Sequence, residues 1–208
     1  MYFSATTNTA GDGKLHCIGT ATSSTPTGPF TASDQPWACP TDQGGAIDAS
    51  GFQDSDGTWY IVYKIDGNTQ GHGGICNNGV DPIVNTPILI QKVGADGISK
   101  QGSATTIMNL QSSDGPDIEA PAMIKKDDTY VLLFSSHCYS TNSYDTLYAT
   151  SNSPTGGFTR GGSLVGGGQG GMDASLDAQN VLFHGLQSDG RRFMYTGTLN
   201  INGDSVTI

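Results

Sequence analysis

Two acidic tracts are where this sequence could do chemistry. Ala46-Ile47-Asp48-Ala49 and Asp117-Ile118-Glu119-Ala120-Pro121 each set a carboxylate in a partly apolar run, just before a strand and a polar turn. Asp48 lies eight residues before Asp56 and Glu119 eight before Asp127, so aligning the turns gives both acids one repeat position. Equivalent strands of neighbouring sheets would then aim both side chains toward one central cavity. Two carboxyls in a cavity can work as acid and partner when their surroundings keep one protonated and the other ionised. Glycoside hydrolysis is a reaction that needs such a pair.

The other reactive residue types are weaker signals. The four histidines (His16, His72, His137, His184) show no paired metal-binding spacing, and isolated histidines are mostly structural. His137, beside Cys138 and just past a strand, is the candidate for lining a sugar pocket. His72, in Gly71-His72-Gly73-Gly74, opens no helix and follows no phosphate-loop template, so it reads as solvated. Asp54-Ser55-Asp56-Gly57 resembles the start of a calcium loop, but its glycine comes too early and Ile65 stands where a bidentate Glu is needed; a hairpin turn accounts for it. The aromatics Trp37, Phe52, Tyr139 and Tyr144 fall in or beside loops near the acid tracts and could stack on sugar rings, whereas Trp59 and Tyr60, inside a strand, read as packing.

The elements that must position these residues are strands. Runs of β-branched and aromatic residues at 59–63, 87–90, 130–134, 147–150 and 192–195 are separated by glycine and Asp-Gly turns, and no segment sustains an apolar period of 3.6 residues. Ala21-Thr22-Ser23-Ser24-Thr25-Pro26-Thr27-Gly28-Pro29-Phe30-Thr31 recurs 128 residues later, from Ala149 to Thr159, with 8 of 11 positions identical. A polar turn feeding an aromatic strand appears at Asp56-Gly57-Thr58-Trp59-Tyr60, at Asp127-Asp128-Thr129-Tyr130 and at Asp189-Gly190-Arg191-Arg192-Phe193. Repeats of this kind, each holding about four short strands, suit the blades of a β-propeller. The glycine-rich stretches 67–79 and 161–171 then read as insertions on its rim. Met1-Tyr2-Phe3-Ser4 resembles Leu132-Leu133-Phe134-Ser135, a strand interior with nothing before it, so the expectation is one domain over 1–208 whose first blade is incomplete and whose strand edges are exposed.

Composition narrows the partners. The chain has 208 residues, 9 basic against 19 acidic, and a net charge of −10, which leaves no footprint for nucleic acid. No apolar stretch reaches the roughly 18 to 20 residues that span a bilayer, so no membrane is expected as a partner either. Four cysteines (Cys17, Cys39, Cys76, Cys138) without a C-x-x-C spacing leave disulfides or buried thiols, with three full pairings open. With few lysines and abundant Ser, Thr, Asn and Gly, they fit a secreted protein, although no N-x-S/T acceptor is present.

Taken together, the run from Ile47-Asp48-Ala49-Ser50-Gly51-Phe52 through Asp54-Ser55-Asp56-Gly57-Thr58-Trp59-Tyr60, the Ile118-Glu119-Ala120-Pro121 tract and the Ala-Thr-Ser…Pro-Thr-Gly-x-Phe repeats resemble glycoside hydrolase family 43. The resemblance covers most of the chain. It implies an all-β fold, a five-bladed β-propeller, that hydrolyses arabinose- or xylose-containing saccharides with inversion, with Glu119 as general acid and Asp48 as the carboxylate that raises the acid's pKa and orients it. Phe52, His137, Tyr139 and Trp37 would contact substrate. The family's general base, an aspartate on the first blade commonly placed before a proline, would precede residue 1, and Val80-Asp81-Pro82 lies in a later loop. The family often carries a Gly-His-x-Asp segment; here it reads Gly170-Gly171-Met172-Asp173, with glycine in place of the histidine that helps hold a central metal or water. No cofactor is therefore expected, calcium being the one the pattern would otherwise suggest. The resulting expectation is a secreted, monomeric glycosidase of arabinan, arabinoxylan or xylan, inactive if its base is missing. A carbohydrate-binding propeller without turnover, or a chain with no independent fold, are the alternatives.

Overall fold

A computed structural model describes residues 1–7 and 13–208. The described residues form five antiparallel sheets that follow one another along the chain. The first holds β1 (Tyr2–Thr6), β2 (His16–Thr22) and β3 (Thr31–Ala32), and the second β4 (Ala46–Gln53), β5 (Trp59–Ile65), β6 (Ile88–Val93) and β7 (Thr105–Met108). The third holds β8 (Ile118–Lys126), β9 (Thr129–Ser136), β10 (Asp145–Ser151) and β11 (Thr159–Val165). β12 (Gln169–Ala174), β13 (Asn180–Leu186) and β14 (Arg192–Thr198) make the fourth, and the hairpin of β15 (Asn200–Asn202) with β16 (Ser205–Thr207) the fifth. Leading strands of successive sheets lie side by side, β1 against β4, β4 against β8 and β8 against β12.

Packing explains why the central strands read as unbroken apolar runs. Side chains alternate between the two faces of a strand, and in the middle sheets both faces are covered. On β9, Tyr130, Leu132 and Phe134 pack toward the second sheet with Phe52, Val62, Ile88 and Ile90. Val131 and Leu133, on the other face, pack against Met172, Val181 and Phe183 of the fourth. On β5, Ile61 and Tyr63 meet Ile18 of the first sheet and Trp37 in the segment that follows it, while Val62 faces the third. Burying a side chain of this size stabilises by about 1.5 to 3 kcal/mol.

The three polar turns do join strand pairs: residues 54–58 link β4 to β5, Asp127-Asp128 link β8 to β9, and 187–191 link β13 to β14. Gly57 and Gly190 take φ of 86° and 82°, and Asp127 takes 52°, the conformations such turns require. Two polar ties hold sheets together. The Asp54 carboxylate accepts from Lys125 Nζ at 2.8 Å and Tyr130 Oη at 2.6 Å. Burial would raise Asp54, but these bonds outweigh it and hold the carboxyl below its usual range. Arg160 forks onto buried Asp114 at 2.6 and 2.9 Å, the geometry that suits a guanidinium.

One expectation is corrected. The stretch 161–171 is no rim insertion, because most of it is strand, in β11 and β12. Its glycines are cleared for rings: a Cβ on Gly161 would stand 2.1 Å from the Tyr148 ring, and one on Gly170 2.3 Å from that of Tyr144.

Candidate functional site

The leading strands of the second, third and fourth sheets share one irregularity. Pairing slips by one residue between Ile47 and Ser50 of β4, between Glu119 and Ala122 of β8, and between Gly170 and Asp173 of β12. Each slip is a β-bulge, and each has a left-handed residue at the same place: Asp48 with φ 59°, Ala120 with φ 50° and Gly171 with φ 65°. Bulges re-aim side chains next to functional sites. They also correct the repeat alignment, for by strand register Asp48 corresponds to Ala120, and Glu119 to Ile47. The two acids are offset by one residue. They still meet, because the bulged backbone brings the Asp48 carboxylate to within 2.9 Å of the Ala120 N–H, from which it accepts a hydrogen bond.

That bond has a purpose in the local physics. A left-handed conformation costs an L-residue with a Cβ roughly 1 to 2 kcal/mol, and Ala120 has no side-chain oxygen to offset it. Asp48 supplies an acceptor for the strained peptide directly after Glu119, and so fixes the acid's backbone. Asp48 is itself in the left-handed region, which aspartate tolerates better than most residues, and its own N–H reaches Ser4 Oγ at 3.2 Å.

Glu119 opens on a cavity of about 330 Å³, lined also by Lys64, Asp66, Asp117, Cys76, Cys138 and Tyr139. Such a volume lies at the small end of ligand pockets, which run from about 300 to 1,000 Å³. Burial pushes the Glu119 carboxyl up to about 7, helped by the negative charges of Asp117 and Asp48 and opposed by the Lys64 ammonium and a hydrogen bond from Tyr144. Burial likewise raises Asp117 and Asp66, although Asp66 is 2.8 Å from His16 Nδ1. Lys64, 1% exposed, is the buried cation among these acids. Tyr144, 1% exposed, is the hydroxyl donor to Glu119. Its own oxygen accepts from Ser135, whose Oγ accepts from the Gly171 N–H at 2.8 Å. A chain of bonds thus runs from one bulge to the acid on the next.

The wall of the cavity comes from the connection between β5 and β6. It is fastened twice: by the Cys76–Cys138 disulfide and by buried Asn78, whose amide donates to Val84 O at 2.9 Å and Pro116 O at 2.6 Å. The glycine-rich stretch 67–79 is therefore part of the site. The second disulfide joins Cys17 to Cys39.

The aromatic candidates divide. Tyr139, 53% exposed, lies on the cavity. Phe52 and Trp37 do not. Phe52, 4% exposed, packs between Tyr60 and Tyr130, and Trp37 is held in the core between the first two sheets with its indole N–H donated to Ile98 O at 2.8 Å. Both are corrected to packing residues: being next to a turn in sequence did not keep them from the inter-sheet space. His137 directs Nδ1 to Ser136 Oγ at 2.8 Å and toward Asp145 at 3.6 Å. Sequence reasoning missed Lys64, Asp66, Asp117 and the acid-binding role of Tyr144. A lysine inside an otherwise apolar strand was the available signal for the first.

Among the described residues, no group of three or more His, Cys, Asp or Glu side chains is arranged to hold a metal ion. At Gly171 the space a side chain would need is filled by the His184 ring, with Nε2 2.5 Å from an added Cβ.

A partly buried carboxylic acid whose proton affinity is raised toward neutrality, in a small polar cavity on stacked antiparallel sheets, has the chemistry to donate a proton to a bound ligand. The family model for glycosyl hydrolases family 43 matches residues 1–165, and the chain belongs to that family. A β-D-galactofuranosidase, xynD, of Aspergillus niger is 29% identical over 161 residues, covering 76% of this chain and 39% of that protein. The chain thus spans well under half of that curated relative. A thermostable family-43 glycoside hydrolase superposes with a TM-score of 0.80 at 25% identity, over 100% of this chain and 69% of its own. A Xanthomonas citri enzyme solved with xylotriose gives a TM-score of 0.70 at 23% identity, over 100% and 67%.

Proposed function

We propose that this chain carries the acid side of a glycosidase site that cleaves arabinose- or xylose-containing plant polysaccharides by an inverting acid/base mechanism. Glu119 protonates the leaving glycosidic oxygen. Asp48 holds the Ala120 peptide, and its charge discourages Glu119 from ionising. The observation that carries the reading is the raised, cavity-facing Glu119 in a member of family 43. Asp66 and Asp117 line the same cavity, but burial biases both toward the neutral form, and a base must be ionised, so neither is assigned that role. Five sheets in chain order support a five-bladed propeller, and two disulfides support secretion into an oxidising compartment. The substrate is an oligosaccharide or polysaccharide, taken up by a monomer. The test is sugar release from arabinan, arabinoxylan and xylan, with Glu119→Gln as control. Release abolished in the control supports the acid; sugar binding with no release by the unaltered chain favours a binding module instead.

A further inference from the structure

Arg192 opens β14, beyond the residues matched by the family model, and is exposed. Its guanidinium makes three contacts, two of them to Tyr139 on the cavity. Nη2 donates to the Tyr139 carbonyl at 2.7 Å, the group lies over the Tyr139 ring at 5.3 Å from its centroid, and Nη1 stands 2.8 Å from His184 Nδ1. Because Nη1 can only donate, Nδ1 accepts, and the His184 ring is neutral; burial and the Arg192 charge both lower its proton affinity. The same ring stacks on Tyr144 at 5.8 Å and 18°, and Tyr144 binds Glu119. One side chain thus ties the exposed ring at the cavity mouth to the aromatic pair behind the acid.

Tyr139 sits in the loop after β9, and a half-exposed loop ring loses rotamer freedom when a ligand must be stacked on it. A ring already fixed by a carbonyl bond on its own residue and a cation over its face avoids that cost, which is how preorganisation raises affinity. We propose that Arg192 is a positioning residue that holds Tyr139 as a stacking platform for the second sugar of an oligosaccharide, while the first sugar fills the cavity beside Glu119. The inference rests on the glycosidase reading and adds to it a second sugar subsite. Lysine cannot replace Arg192, because reaching the carbonyl and the imidazole together takes two nitrogens of one planar fork.

The experiment is calorimetric titration of the full chain with xylotriose and arabinotriose, and with the monosaccharides xylose and arabinose. The unaltered chain is compared with Tyr139→Ala, Arg192→Ala, Arg192→Lys and the Tyr139→Ala/Arg192→Ala double variant. Both positions are exposed, so folding is preserved, and near-UV circular dichroism checks it. Each single variant is expected to weaken the better-bound trisaccharide about 2- to 10-fold. The double variant should weaken it no further than Tyr139→Ala alone, Arg192→Lys should not rescue, and monosaccharide affinity should not change in the Arg192 single variants, whose side chain lies outside the cavity lining. A merely structural role for Arg192 would move mono- and trisaccharide binding together, which overturns the inference. Additive losses, or an Arg192→Ala chain that binds the trisaccharide normally, overturn it while leaving the glycosidase reading intact. No sugar binding by the unaltered chain overturns both.

Discussion

Replacing Glu119 by Gln should make the protein more stable above neutral pH and leave it unchanged in acid. The carboxyl sits at about 7 when folded against an ordinary value of 4.5, chiefly because burial penalises its charge. The folded protein therefore binds this proton more tightly than the unfolded chain, and stability falls as pH rises between the two values. Below 4.5 the residue is neutral in both states and costs nothing. Above about 7 it is charged in both, and the folded state bears the whole penalty. At 1.36 kcal/mol per pH unit, the raise amounts to at most about 3 kcal/mol, and water in the cavity trims it toward about 2. For a chain of this length that is about 4 to 12 °C in Tm. The amide introduced by Glu119→Gln keeps an acceptor for Tyr144, so the comparison removes the charge and little else. Thermal unfolding of both proteins from pH 4 to 8.5 should give curves that coincide at the acid end and diverge through 4.5 to 7, with the variant on top. Parallel curves, or a variant less stable at pH 8, would refute the buried-acid argument.

Three further substitutions probe the supports of the site. Asp48→Ala leaves the Ala120 N–H without its acceptor and should cost about 1 to 3 kcal/mol in urea unfolding; the loss of negative charge should also move the alkaline limb of any activity to lower pH. Ala120→Gly relieves the left-handed strain at the cost of a more flexible unfolded chain, for a net gain of up to about 1 kcal/mol, read as a slightly higher Tm. Arg160→Ala strands the buried Asp114 charge and should cost about 3 to 5 kcal/mol, measured by chemical denaturation.

What could be read from residues alone follows from which physical signals are local. The strands at 59–63 and 130–134 were legible because sheets covered on both faces demand unbroken apolar runs, and the Asp-Gly turns because positive φ restricts composition. Glu119 and Asp48 stood out as charges in apolar tracts. Their one-residue offset was not legible, since a bulge inserts a residue without a signature in side-chain type, and Ala120 carries no mark of its left-handed backbone. Phe52 and Trp37 looked like loop aromatics, yet the gap between sheets decided their fate. Gly170 and Gly171 were visible only as glycines, when their meaning is the room they leave for Tyr144 and His184. Tyr144 reaches the acid and Arg192 the ring at the cavity through contacts across 25 and 53 residues of chain, to Glu119 and to Tyr139, which no short-range pattern encodes.

The central claim is that Glu119 works as a protonated acid, and the pH dependence of sugar release tests it most directly. Wherever sugar is released from xylotriose and arabinotriose, its rate, followed by NMR between pH 4 and 9, should fall on the alkaline side with a midpoint near 7 and vanish at every pH in Glu119→Gln. An unaltered rate in the variant, or an alkaline fall centred at the 4.5 of an ordinary glutamate, would contradict it.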